Sequence, residues 1–409
     1  MKQNETSSPR QAWISWGIAV SFVILVFGFQ TGYAVTNSKM AAELGLSASQ
    51  IGLIGATYTF FFALFQFFSG SLLDRLGIRT ILPLACALLT LGIFSFAFST
   101  TVGGFIAAQI LVALGASFGF IGAGFTGKLW FSKEKYGVMF SWVQFVASLS
   151  AFLTQLVFIQ MLERLPWDWV INGYGMMGLC VVLAMFMGLN NPPRFQPQKW
   201  TLSSLWALLV GCLQDLLATL KHREVRLAMG VGAVSFGVML SLSIVWGGHL
   251  LRSNGLDENQ GHVAIALSWL GLALGAPLFS ALGRRMKNDI RALGFGIAGQ
   301  LVLLLVLVGV PIQSITVVSF AMLLFGIFTG ASMLPFAIAA SAVDARYIGT
   351  SAALVNGSQF LAGAFFVFIP GYLMRHADGL SVSQSLFVLP IAMLLANGLY
   401  LYWRANKTH

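Results

Sequence analysis

Apolar residues in this chain come in long runs broken only by scattered uncharged polar residues, with charged positions confined to the ends of the runs and the gaps between them. Twelve stretches qualify as continuous apolar spans, at about 12–37, 50–72, 79–98, 102–126, 136–160, 168–189, 227–250, 261–282, 291–311, 315–340, 348–373 and 383–403. A helix needs ~20 apolar residues to cross the ~30 Å hydrocarbon core of a bilayer. Backbone groups in lipid must be satisfied within the segment, so the pattern predicts helices; a barrel would show short alternating strands. The expected class is an all-α membrane protein with 12 transmembrane helices.

Charge sharpens that reading. Only 9% of the 409 residues are charged, against 57% apolar, where a soluble domain carries about 25% charged. Every Asp, Glu, Lys and Arg falls outside the middle of a span, as the cost of burying charge in lipid requires. With the N-terminus placed inside and the spans alternating, one set of connectors holds Lys2, Arg10, Arg75, Arg79, Lys128, Lys133, Lys135, Arg194, Lys199, Lys221, Arg223, Arg226, Arg284, Arg285, Lys287, Arg291, Arg346, Arg404 and Lys407. The other set holds Lys39, Arg164, Arg252 and Arg375. Basic residues concentrate on the cytoplasmic side of membrane proteins, so both termini are expected in the cytoplasm of a bacterial cell, with the chain multi-pass in the inner membrane. The net charge of +10 then reflects topology, and nucleic acid is not an expected partner. The polar N-terminus runs into a span too long for a signal-peptide core and reads as retained.

The longest connector, 191–226, opens Asn191-Pro192-Pro193 and closes Lys221-His222-Arg223-Glu224. Between them Trp200 to Leu220 is apolar but interrupted by Ser203, Ser204, Gln214 and Asp215. An amphipathic helix at the inner interface fits this; a thirteenth span would reverse every later connector and undo the charge sorting. The connector separates two six-span bundles, 1–190 and 227–409, and the halves echo each other. Gly45-Leu46-Ser47-Ala48-Ser49-Gln50 enters span 2 and Gly255-Leu256-Asp257-Glu258-Asn259-Gln260 enters span 8, each reading as a turn followed by a helix N-cap. Lys133-Glu134-Lys135-Tyr136-Gly137 follows span 4 and Asp344-Ala345-Arg346-Tyr347-Ile348-Gly349 follows span 10, and seven residues past each glycine stands an amide, Gln144 or Asn356. Duplicated helical units are common in transporters.

Between spans 2 and 3 stands Gly70-Ser71-Leu72-Leu73-Asp74-Arg75-Leu76-Gly77-Ile78-Arg79. Gly70 permits close helix approach, Asp74 can accept from N–H groups at a helix N-terminus and pair with an arginine, and Gly77 permits a turn. This segment resembles the signature of the major facilitator superfamily, in a chain whose span count and twofold repetition match that family throughout. The resemblance implies two pseudo-symmetric six-helix bundles working by alternating access. It also implies a gate latched on the cytoplasmic side through Gly70, Asp74, Arg75, Gly77 and Arg79. The second copy, Ala276-Pro277-Leu278-Phe279-Ser280-Ala281-Leu282-Gly283-Arg284-Arg285, has Ser280 in place of the aspartate, which makes the first copy the expected gate. Lys128-Leu129-Trp130-Phe131, Trp246-Gly247, Leu270-Gly271 and Gly275-Ala276-Pro277-Leu278 further resemble proteobacterial nutrient transporters of the phagosomal type, which import amino acids or nucleosides; His249 departs from that pattern.

The resemblance implies that spans 1, 4, 7 and 10 line a central cavity framed by 2, 5, 8 and 11. Candidate substrate-binding residues on those spans are Gln30, Tyr33, Asn37, Tyr58, Gln109, Gln144, Trp246, Trp269, Asn356 and Gln359. A glutamine in a membrane helix also serves as interhelical glue, and Trp246 also fits an aromatic belt. Gln30, Tyr33 and Asn37 share a face of span 1, as Asn356 and Gln359 do on span 11. Gln109 stands where family members often carry an arginine that would suit anions. His249 is the titratable imidazole within a span, and histidine exchanges protons near neutral pH; it is the candidate for proton coupling, the alternative being a neutral histidine hydrogen-bonded near the membrane surface. No metal-ligand spacing surrounds Cys86, Cys180 or Cys212, no phosphate-binding loop stands out, and no cofactor or enzyme chemistry is expected. The expected function is secondary transport of a small neutral or zwitterionic solute, amino acid- or nucleoside-like, by a monomer, inward and with protons as the candidate coupling ion. An exporter of drugs or a siderophore-like metabolite is the alternative, and a non-transporting receptor on the same fold a further one.

Overall fold

The computed structural model describes residues 9–132, 135–198, 205–376 and 379–405; Lys2, Lys133, Glu134, Lys199, Trp200, Ser203, Ser204 and Lys407 lie outside them. Among the described residues twelve helical segments are long and apolar enough to cross a membrane, matching the expected twelve in order. Most run a few residues past the apolar stretch, because a helix continues into its charged ends. Span 2 extends to Leu76, so Asp74 and Arg75 lie in its last turn and not in the connector.

The helices are α1 (Pro9–Leu44), α2 (Ala48–Leu76), α3 (Ile78–Ala97), α4 (Val102–Ala116), α5 (Gly119–Trp130), α6 (Tyr136–Leu162), α7 (Trp167–Gly188), α8 (Leu205–Leu220) and α9 (Arg223–Leu240). They continue as α10 (Gly247–Ser253), α11 (Glu258–Met286), α12 (Asp289–Gly309), α13 (Ile315–Thr329), α14 (Leu334–Ser341), α15 (Ile348–His376), α16 (Val382–Leu386) and α17 (Val388–Ala405). They form two compact units, Met1–Thr219 with Val343–Leu354, and Leu220–Ala342 with Val355–His409. The connector helix α8 and the first turns of α15 thus pack with the first unit.

In the first unit α3 lies against α4 and α7, α1 against α5, α6 and α7, and α2 against α4. In the second, α11 packs along α13, α12 contacts both, and α17 lies against α9 and α12. The α11–α13 seam is built from small residues. A Cβ on Gly271 or Gly275 would stand 2.1 Å from the carbonyl oxygen of Leu323 or Ile327, and one on Gly326 would stand 2.0 Å from that of Ser268. Lipid offers no hydrophobic drive between helices, so close backbone approach at such seams supplies the packing energy.

The turns entering spans 2 and 8 repeat in geometry as in sequence. Gly45 and Gly255 have φ of 65° and 94°, and the next amide in each, Leu46 or Leu256, donates back to the carbonyl of Ala41 or Leu251. That is the way a helix C-terminus is closed by a left-handed residue. Ser47 and Gln50 then form a reciprocal capping box at α2.

Candidate functional site

The Asp74–Arg75 turn organises one end of the first unit. Asp74 is 4% exposed at its side chain. Its Oδ1 accepts from the Gly349 N–H at 3.1 Å, and its Oδ2 from the Thr350 N–H at 2.8 Å and the Thr350 hydroxyl at 3.1 Å. Those amides belong to the first turn of α15, where N–H groups have no partner inside the helix and the helix dipole favours a negative charge. Lys128, at the end of α5, closes the cluster: its Nζ donates to Asp74 Oδ1 at 3.1 Å and to the Ala345 carbonyl at 2.6 Å. The expected arginine partner is therefore a lysine, because Arg75 follows Asp74 on the helix and points elsewhere. The close approach comes from Gly70 and Gly349. A Cβ on Gly70 would stand 2.0 Å from the Gly349 carbonyl oxygen, and one on Gly349 would stand 2.8 Å from that of Gly70.

Arg75 turns to the connector. Its Nε donates to Asp215 Oδ2 on α8 at 2.8 Å, which also accepts from the Ser71 hydroxyl at 2.6 Å. Its Nη1 donates to Gln198 Oε1 at 3.1 Å. Gly77 takes a φ of 77° and turns the chain into α3, whose first amides, Ile78 and Arg79, donate to Asn191 Oδ1. Arg79 reaches Asn190 Oδ1 at 2.8 Å. In the second motif copy Ser280 accepts from Arg284 at 3.2 Å.

The expected substrate-binding residues divide by whether their polar atoms are already occupied. Tyr33 donates to the Ile51 carbonyl at 3.2 Å, Gln144 to Ser148 Oγ at 2.7 Å, and Trp246 to the Val367 carbonyl at 2.9 Å. Trp269 and Asn356 are buried, while Gln30 and Asn37 are half-buried. His249 is exposed, on the turn after Trp246, with the two ring centres 5.5 Å apart. Three of the expected residues keep a buried polar atom with no partner: Tyr58 at its hydroxyl, and Gln109 and Gln359 at Oε1. Buried polar groups are ordinarily hydrogen-bonded, so each orphan calls for a reason. Ser332 Oγ is also unpartnered, as are atoms of Trp16, Tyr136, Trp167, Asn172 and Trp403, none of which the sequence singled out as a binding residue. Ser332 neighbours Gln359, whose Nε2 donates to the Ser332 carbonyl at 3.0 Å.

Ser332 is special because its span is not a continuous α-helix. Span 10 is interrupted at Gly330–Met333 by a 3₁₀ turn, span 4 between Ala116 and Gly119, and span 7 by a π segment at Ser241–Trp246. Such interruptions free backbone groups, tolerated in a membrane only where neighbours re-satisfy them. In the π segment Ser241 donates to the Phe366 carbonyl at 2.7 Å. The signal in the sequence is Gly115-Ala116-Ser117, which recurs as Gly330-Ala331-Ser332 at the matching break of the other half. Among the described residues no charged residue is buried as a whole, the Asp74 side chain coming nearest, and no group of His, Cys, Asp or Glu is arranged to hold a metal.

Residues 18–367 match the sequence pattern of the Major Facilitator Superfamily. Over 236 residues, 57% of this chain, the sequence is 24% identical to a Cronobacter sakazakii protein named "Putative multidrug resistance protein MdtD", and the alignment spans 50% of that relative's length. The crystal structure of the human organic anion transporter MFSD10 (TETRAN) superposes with a TM-score of 0.74 over 96% of this chain and 100% of that one, at 13% identity. At that identity the likeness is one of fold.

Proposed function

Because the chain belongs to the Major Facilitator Superfamily, whose members are transporters and not enzymes, we propose that it carries a small neutral or zwitterionic organic solute, amino acid- or nucleoside-like, into a bacterial cell by alternating access. The observation that carries this reading is that the unpartnered buried polar atoms in the spans are all uncharged, and that each unit by itself supplies some of them, Tyr58 and Gln109 in the first, Ser332 and Gln359 in the second. A carbonyl oxygen left buried without a donor costs about 1–3 kcal/mol, a cost that a bound solute bearing N–H or O–H groups offsets. Two of the four atoms are amide oxygens, which favours a donor-bearing solute over a multiply anionic one. An anion would call for a buried cation free of a carboxylate, and none stands among the buried polar residues described.

In this reading both termini and the Asp74 cluster face the cytoplasm, α8 lies at the inner interface with Trp206, Leu213 and Leu217 exposed, and the protein works as a monomer. His249 is the residue proposed to couple uptake to protons. His249→Gln should abolish uphill accumulation and keep downhill exchange; unchanged accumulation would remove it from the cycle. For the binding residues the test is Gln109→Leu and Gln359→Leu in purified protein. Each should weaken binding of the transported solute about ten-fold; Gln109→Leu should keep or raise the melting temperature, since an orphan acceptor is removed, whereas Gln359→Leu also gives up the bond to the Ser332 carbonyl and should lower it. Unchanged affinity in both would refute the assignment. Export of drug-like molecules is the second reading, favoured by the name of the Cronobacter relative; efflux from energised vesicles distinguishes the two directions.

A further inference from the structure

The connector helix α8 is bound to the motif turn by contacts that ordinary linkage of two bundles does not need. One carboxylate oxygen, Asp215 Oδ2, takes donors from both Ser71 and Arg75 of α2, at 2.6 and 2.8 Å. The chain leading to α8 holds the same arginine again. Gln198 Oε1 accepts from Arg75 Nη1 at 3.1 Å, and the Gln198 N–H donates to the Arg75 carbonyl at 2.8 Å. On α8 the guanidinium lies across Gly211, where a Cβ would stand 2.8–2.9 Å from three of its atoms. Next to that glycine, Cys212 is fully buried. Arg75 and Asp215 keep 25% and 16% side-chain exposure, so water reaches the pair and its separation does not strand a charge in a dry interior.

Two consecutive residues of α2 therefore hold two different elements: Asp74 the start of α15, Arg75 the connector helix. A shift at this end of α2 that releases one changes the angle at which the other is held. We propose that α8 is a releasable clamp on the Asp74–Arg75 turn, with Asp215 the positioning residue that holds Arg75 and Ser71. On this view the connector is a working part of the gate, and the transport cycle includes a state in which α8 is off α2. The proposal concerns this contact and stands apart from the identity of the solute.

Cys212 provides a native reporter. On this proposal it becomes accessible when α8 leaves α2, whereas Cys86, buried in α3, reports general unfolding and Cys180 is exposed. Protein carrying Cys180→Ala, in lipid nanodiscs, is labelled with N-ethylmaleimide and the rate of Cys212 modification is followed by mass spectrometry. Asp215→Asn should raise that rate about ten-fold or more, with Cys86 still protected. Asp215→Glu should stay near the parent, and the exchange of charges Arg75→Asp with Asp215→Arg should restore most of the protection that Asp215→Asn loses. Restoration by exchange is what a merely structural aspartate would not give. A Cys212 rate in Asp215→Asn within about twofold of the parent, or a charge exchange no better protected than Asp215→Asn, would overturn the proposal. If Cys86 becomes reactive in the aspartate variants, Ser71→Ala decides: it keeps both charges and removes one donor, and an unchanged Cys212 rate there overturns the clamp equally.

Discussion

Replacing Asp74 by asparagine tests the core of the site at atomic detail. Oδ1 receives the Gly349 amide and Lys128, and Oδ2 receives the Thr350 amide and hydroxyl. Asparagine keeps one oxygen and offers an NH₂ group in place of the other. Whichever way the amide turns, one set of donors meets a donor. The remaining bonds lose their charge, and hydrogen bonds to charged groups contribute about 1.5–3 kcal/mol where neutral ones contribute about 1. Lys128, 16% exposed at its side chain, also loses its counter-charge. Breaking a buried pair from one side costs about 3–5 kcal/mol; the Ala345 carbonyl still holds the ammonium, so the lower end, about 3 kcal/mol, is expected.

The readout is hydrogen exchange at Gly349 and Thr350. Both amides are in the first turn of α15 and have no partner in their own helix, so Asp74 alone protects them. About 3 kcal/mol corresponds to exchange roughly 100-fold faster. Lys128→Met leaves both amide bonds in place and should speed exchange far less. Exchange of these two amides unchanged in Asp74→Asn would refute the account of the cluster.

Three further outcomes follow from other parts of the molecule. Gly77→Ala places a side chain at φ 77°, with the new Cβ 2.6–2.7 Å from Phe195 and Asn191. It should lower stability by about 2 kcal/mol or more, read as a lower melting temperature, and an unchanged melt would contradict the turn's geometry. Gln300→Leu removes a buried amide that accepts from Ser235 at 2.6 Å and donates to the Ser235 carbonyl and to Thr329 at 2.8 and 2.9 Å. The expected loss is about 2–4 kcal/mol, again by melting, with Gln300→Glu no better tolerated. Burial pushes the Cys212 thiol above its ordinary 9.0, so the docked helix binds that proton more tightly than the free one. Docking is then fully favoured below pH 9 and weakens as pH rises through the raised value, by up to about 1.4 kcal/mol per unit. Exchange protection across 206–219, corrected for intrinsic rates, should hold from pH 7 to 9 and fall above it, and Cys212→Ala should remove the fall.

The parts of this molecule written plainly in its sequence are those the bilayer enforces. Lipid fixes the length and apolarity of a span, so all twelve could be placed from hydropathy. Glycine at positions 45, 77 and 255 announced turns because only glycine takes those backbone angles without strain. Pairings across distance were not legible. Lys128 counted as one more inside cation, and nothing local ties it to Asp74, 54 residues earlier. Asp215 read as an interruption in an amphipathic stretch, because which face of α8 meets α2 depends on packing. The breaks in spans 4, 7 and 10 were invisible to hydropathy, which weighs side chains and not backbone hydrogen bonds; the recurrence of Gly-Ala-Ser was the one clue. Of the expected binding residues, several proved to be satisfied within their own unit, which a residue type alone does not disclose.

The claim that an uncharged set of amides and hydroxyls selects the solute is tested most directly by a thermal-shift screen of the purified protein. The ligands are neutral and zwitterionic amino acids, nucleosides, sugars and dicarboxylates. Stabilisation by a neutral or zwitterionic member, lost in Gln109→Leu or Gln359→Leu, is the predicted result; stabilisation by dicarboxylates alone would contradict it.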